Sequence, residues 1–400
     1  MLTFRRLLAV FASSLLLITG TLTSALPAQA TSFNCSGQLT NDLQLFFVAP
    51  TNMLIELPLH GFVGSVDWGS TTVPATQYAA GAPEPSFTLQ AGDEMWVCIS
   101  GAATGFGDHI PGFAGWPGSE GLTTVEQWGD LGSSFTNLDM AFWGTPLLTD
   151  VPDYLPPTVT STVDMFRGSA INDSDISYWD TTNLTNIAGM FSGASSFDQD
   201  ISTRDVNPTG NPSDAYTAWG TSNVVDMSYV FSDATDFNQD IGNWDTSNVV
   251  EMQNMFENAE YFDQDLSGWN TSNVENMASM FSGAQEFGLT ATSSVGGWDT
   301  SQVVDMNSMF SDAESFNEYI GDWDTSSVGT RVHQMLGPGD MAGMFAGATS
   351  FNGDISNWDT SNVVDMTRMF ANNYDDEGGF FTGDMAFNQD ISAWNTSQVT

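Results

Sequence analysis

The sequence predicts an α/β solenoid of 25-residue repeats, built of short parallel strands and short helices, preceded by a small β-sandwich. Three observations predict it. The segment from Phe237 to Phe256 returns with small edits to the end of the chain. Trp219, Trp244 and Trp269 stand 25 residues apart, and the gaps among Trp179, Trp219, Trp269, Trp298, Trp323, Trp358 and Trp394 that depart from 25 exceed it by 15, 4, 10 and 11. Short runs rich in β-formers, separated by Pro, Gly, Ser and Thr, fill the part before the repeats. A fixed period of this size marks an array in which each unit packs only on its neighbours.

At the start, Arg5 and Arg6 precede an apolar run from Leu7 to Ile18, closed by Ala28-Gln29-Ala30. That order predicts a secretory signal peptide over residues 1–30. The run is short for a membrane span, and the rest of the chain has no second one. Export makes one disulfide, Cys35 to Cys98, the expected state of the only two cysteines. A loop of that length adds about 3–4 kcal/mol in the chain-entropy account.

Residues 31–105 carry strand-like runs at Leu43–Val48, Met53–Leu59, Phe62–Trp68, Ser86–Leu89 and Glu94–Ser100. Such spacing predicts a β-sandwich. Val66-Asp67-Trp68-Gly69, followed by Tyr78 and Gly81 and a strand at Met95–Ile99, resembles a PKD-type, immunoglobulin-like domain, with Ser70-Thr71 in place of the usual acidic turn. Residues 106–165 read as an N-terminal cap with atypical repeats, in which Leu122 to Trp128 is a worn copy of the Asp-Ile-x-x-Trp segment. Residues 166–400 are the repeat array, expected to break off mid-repeat at Thr400.

Within one unit, Phe237 to Ile241 is the expected strand. Asn248 with Glu251 imitates a capping box. Val249, Met252, Met255 and Phe256 then fall on one face of a helix of about two turns. A unit alone cannot offset the cost of ordering its chain, so neighbours must stack.

The run Met-Phe-Ser-x-Ala-x-x-Phe-Asn-Gln-Asp-Ile-x-x-Trp-Asp-Thr-Ser-Asn-Val-x-x-Met is carried nearly whole by Phe231 to Met252 and by Phe345 to Met366. It resembles the repeat of BspA-like leucine-rich repeat surface proteins of bacteria and mycoplasmas. Val151 to Pro156 resembles that family's lead-in segment. Departures are Gly220 after Trp219, Tyr319 where Asp precedes Ile, and the four insertions. The resemblance implies leucine-rich-type repeats and an exported, surface-displayed, non-enzymatic protein acting in adhesion or protein binding.

Composition agrees with that class and excludes others. The net charge is −43, or −45 without the two arginines of the leader, and there is no lysine. Such a chain does not neutralise phosphates, so nucleic acid is not a partner, and anionic lipid repels it. His60, His109 and His333 are scattered without metal spacing, and no nucleophile–base pair or phosphate loop occurs, so no catalysis and no cofactor is expected.

Two readings of the acidic rows stay open. Asp240, Asp245 and Asp265 stand in two repeat columns of Asp. They cap turns and backbone donors, or they hold Ca²⁺ between coils in a structural envelope or matrix component. The repeated Met and Trp read as core rather than as binding rows. The insertions are the expected binding ground: Arg204 and Tyr216 in 203–218, Arg331 and His333 in 329–340, and Tyr374, Asp375, Asp376 and Glu377 in 373–384. The expected partner is an extracellular protein or polysaccharide on a host or neighbouring cell.

Overall fold

Alternation decides the first part of the fold. In β1 (Leu43–Val48), Leu43, Leu45 and Phe47 are buried and their neighbours half-buried, the period of a strand with one face on a core. A computed structural model describes residues 41–69, 74–107, 115–290, 295–330, 340–372 and 385–400, with backbone alone at 332–333 and 337–338. The expected leader and Cys35 lie outside these residues. Cys98 is disulfide-bonded, and Cys35 is the only other cysteine in the sequence.

β1 pairs antiparallel with β7 (Glu94–Ala102) on one side and with β9 (Leu122–Gln127) on the other. β4 (Val63–Asp67) and β5 (Thr76–Tyr78) extend the sheet beyond β7. Two short antiparallel pairs flank it. One joins β2 (Met53–Glu56) to β6 (Ser86–Leu89), and the other joins β3 (Leu59–His60) to β8 (Gly105–Phe106). β9 also belongs to the repeat stack, because Val125 N–H donates to Asp150 O at 2.8 Å and the Trp128 ring lies 6.3 Å from Trp179.

The α/β solenoid expected for the repeats is not what forms. The described residues hold no α-helix, only 3-10 turns at Ser119–Gly121 and Pro212–Asp214. Parallel strands are absent from them too. The extended pairings are antiparallel, and parallel contact is confined to single-residue bridges such as Asn186 to Asp226, Asp226 to Glu251 and Glu251 to Asn276. The expected strand at Phe237–Ile241 has no strand pairing.

The physical reason lies in two left-handed residues per unit. Asp164, Gly189, Tyr229, Asn254, Ser279, Ser308, Gly343 and Arg368 share one repeat position, and all have φ between 52° and 65°. Four residues on, Gly168, Gly193, Asp233, Asn258, Gly283, Asp312 and Gly347 form a second such column. A helix needs negative φ throughout, whereas positive φ at the third position is what a type II turn requires. The segment is therefore a chain of tight turns. Met255 N–H donates to Met252 O, Glu257 to Asn254 O and Ala259 to Phe256 O.

The remaining amide groups point out of the coil. The N–H groups of Met252, Asn254, Phe256 and Asn258 donate to the carbonyls of Asn276, Ala278, Met280 and Ser282 in the next coil, at 2.7–3.0 Å. Each unit thus shares its backbone bonds between its own turns and its neighbour. Val249, Met252, Met255 and Phe256 are all fully buried, so the apolar pattern picked out the core while the backbone carrying it is not helical.

Three aromatic columns run through the stack. The first Phe of each unit, Phe142 to Phe370, stacks on its neighbours at 5.4–5.9 Å. The second, Phe197 to Phe387, repeats at 5.7–6.2 Å. Within a coil the two rings lie 3.8–4.2 Å apart. The insertions do not break the columns: Trp179 and Trp219, 40 residues apart in sequence, stack at 6.4 Å and 8°.

Candidate binding surface

The repeat motif is spent on holding coils together. Trp269 buries its ring and donates Nε1–H to Ile241 O of the preceding coil at 3.0 Å. Trp219, Trp244, Trp298, Trp323 and Trp358 do the same to the residue in the Ile slot before them, and the half-buried Trp394 makes the same bond. The Thr after the Trp-Asp pair is buried, and Thr246 donates its hydroxyl to Asn270 O of the next coil at 3.0 Å. Asn248, expected to cap a helix, instead donates Nδ2–H to Ser222 O of the preceding coil at 2.7 Å. Asn223, Asn273 and Asn362 repeat that bond. In the Phe-Asn-Gln-Asp run, Asn238 Oδ1 accepts from Asp263 N–H, and Gln264 donates back to Asn238 O. Side-chain ladders of this kind accompany stacked aromatic rings wherever identical units pile up.

The Asp columns have a local use. Asp240 accepts from Gly242 N–H, Asp245 from Ser247 N–H and Asp265 from Ser267 N–H, at 2.9–3.0 Å. These are Asx turns, in which a carboxylate takes the amide two residues on. Hydroxyl and amide donation by the serine two residues on holds Asp299, Asp359 and Asp390 below the ordinary carboxylate range. Among the described residues, no group of three or more His, Cys, Asp or Glu could hold a metal ion.

A third column is half-buried at Asp226, Glu251 and Asp365 and buried at Asn276, Asp305 and Asp340. Asp340 is 1 % exposed and lies in sequence between Asp305 and Asp365 of the flanking coils. Its Oδ1 accepts from Val364 N–H at 2.9 Å, and its Oδ2 has no hydrogen-bond partner among the described residues. Burial raises its pKa. Amide bonds from Asp365 and Val364 offset part of that, and the charges of Asp365 and Asp305 add to it.

Of the expected loop residues, Arg331, Tyr374, Asp375, Asp376 and Glu377 lie outside the described residues. His333 lies in a short backbone pairing of Val332–His333 with Gly337–Pro338. Arg204 and Tyr216 are described, and the structure brings them together. The insertion folds as a hairpin, β10 (Arg204–Val206) against β11 (Tyr216–Ala218), with Arg204 opposite Ala218 and Val206 opposite Tyr216. Asn211 caps the turn between them by accepting from Ser213 N–H.

Arg204 pairs with Asp200 at 2.7 Å and lies 5.8 Å over the Tyr178 ring. Tyr216 donates its hydroxyl to Tyr178 O at 2.8 Å. The sequence pattern alone did not single out Tyr178 or its counterpart Tyr154. Both precede core residues, Trp179 and Leu155, at a place where later units carry Ala218, Asn243, Gly268 or Asn357. A large aromatic at a solvent position was the available signal. Elsewhere, a polar hollow of about 400 Å³ is lined by His60, Thr104, Thr136, Asn137 and Asp139 where β3 and β8 meet the first coil.

The model of a family described as "Mycoplasma protein of unknown function, DUF285" matches residues 130–217, 209–294, 289–378 and 339–400, from just after β9 to the last coil. The chain belongs to this repeat family. No curated protein and no solved structure matches the chain. The DUF285 repeats therefore include the worn units after residue 130 as well as the regular ones.

Proposed function

We propose that this DUF285 protein is an exported, cell-surface repeat protein of the BspA-like kind, which binds a protein or glycan partner and catalyses no reaction. The inserted hairpin supports this reading most. It is an aromatic, charged surface mounted on a stack whose repeated residues are consumed by packing. Loops carried on rigid scaffolds are where recognition usually sits. The sequence of residues 1–30 supports export, and the PKD-type pattern before the repeats suits a surface protein. No helix among the described residues is long and apolar enough to cross a membrane.

The test is retention of the purified chain on bacterial and animal cell surfaces or on extracellular polysaccharide, against an unrelated protein of equal negative charge. Saturable retention above that control is expected. Retention no greater than the control's on every surface would overturn the proposal.

A further inference from the structure

Tyr154 and Tyr178 lie on neighbouring coils, tied by Trp179 Nε1–H to Pro152 O at 2.9 Å and Asn183 Nδ2–H to Pro157 O at 3.0 Å. Their side chains stay 46 % and 45 % exposed, which isolated core packing does not explain. Tyr216 of the hairpin closes on Tyr178 through its hydroxyl. The surroundings are acidic: Asp153, next to Tyr154 in sequence, and Asp175, three residues before Tyr178, are exposed, and Asp180, two residues after it, is half-buried. Burial pushes the Tyr216 phenol up, and the charges of Asp180 and Asp153 push it further, so both carboxylates bear on this surface.

Arg204, the cation that the described residues place against Tyr178, is paired with Asp200. Its guanidinium over the Tyr178 ring shows that this aromatic surface accepts a planar cation. An anionic ligand would be repelled by these carboxylates, and a neutral sugar would hydrogen-bond them through its hydroxyls but leave their charge unneutralised. A guanidinium or ammonium group gains both from the ring faces and from the acids. The chain's net charge of −43 steers such a partner inward.

We propose that Tyr154, Tyr178 and the β10–β11 hairpin form a docking site for an arginine- or lysine-rich segment of a partner protein. This names the partner chemistry for the proposed binding role and rests on that reading. Cell-surface retention that persists in tyrosine variants would refute the site and leave the binding role standing.

The experiment measures fluorescence anisotropy of a labelled oligo-arginine peptide on the full chain at physiological salt. An oligo-glutamate peptide and a neutral oligosaccharide serve as alternative probes. Tyr154→Ala with Tyr178→Ala is expected to weaken oligo-arginine binding about ten-fold, and Tyr154→Phe with Tyr178→Phe to retain it, because the ring face is the contact. Tyr261→Ala and Tyr319→Ala, comparably exposed but carried by later repeats, are expected to leave it unchanged. Asp153→Asn, on an exposed carboxylate, tests the acidic rim should the double alanine variant lose its fold. A measurable loss of affinity is expected.

Equal binding by every variant would reduce the effect to net charge and overturn the site. Tyrosine-dependent binding of the oligosaccharide without the peptide would overturn it in favour of a glycan.

Discussion

A buried indole N–H must find an acceptor, and from Trp179 onward it finds a carbonyl one coil back. Trp269→Phe keeps a ring in the column and removes one of two bonds to Ile241 O, which Trp244 N–H also donates to at 3.0 Å. The expected loss is about 0.5–1.5 kcal/mol, the usual net worth of one intramolecular hydrogen bond, read as a shift in the denaturant midpoint. A loss within error would mean that the indole bond is dispensable. Asp340 carries the opposite sign. Its folded pKa is raised, so the ionised form costs stability at neutral pH, and stability returns as pH falls through that raised value. Asp340→Asn keeps an Oδ1 acceptor for Val364 and removes the charge. It is expected to raise Tm at neutral pH and to lose that advantage once the native carboxyl is protonated. A pH-independent difference would contradict the assignment.

At the scale of the element, the deciding feature is the pair of left-handed residues. Gly283 has φ +74°, and a Cβ there would lie 2.3 Å from Asn258 Oδ1 of the preceding coil. Gly283→Ala is expected to cost about 1–2 kcal/mol or more, since a left-handed alanine is strained before any clash. Asn258→Gly is expected to be near neutral, since glycine accepts that φ freely. Thermal melts of the two variants check the contrast, and equal effects would refute the turn assignment.

This element also shows what could be read from the sequence and what could not. Val249, Met252, Met255 and Phe256 were legible as core, because burial follows the apolar pattern whatever the backbone does. The helix was not, because their spacing fits tandem turns as well as a helix. The Gly, Asn and Asp column at 168, 193, 233, 258, 283, 312 and 347 was the available corrective, since a residue that tolerates positive φ at every repeat marks a turn. Asn248 misled for a related reason: the side chain that caps a helix can equally bond the coil before it. The strands at 43–48 and 86–89 stood out because alternation has one reading. Arg204 and Tyr216 stood out because they break the period. Tyr154 and Tyr178 did not, because they sit inside it.

Across the whole molecule, acidic side chains are numerous and basic ones scarce, with 49 against 6. Self-repulsion opposes compaction and falls as salt shortens the screening length. Tm is expected to rise with sodium chloride, and Ca²⁺ and its chelator at matched ionic strength are expected to give the same Tm, since the Asp rows bond their own turns. A specific stabilisation by Ca²⁺ would restore the matrix reading of those rows.

The units are tandem turns that share amide bonds with the next coil. Residue-resolved NMR across 249–262 reads this through Cα secondary shifts with amide exchange. No continuous helical run of Cα shifts is expected, with sign changes at Asn254 and Asn258 and slow exchange at Met252, Asn254, Phe256 and Asn258. An unbroken helical run from Val249 to Glu257 would contradict it.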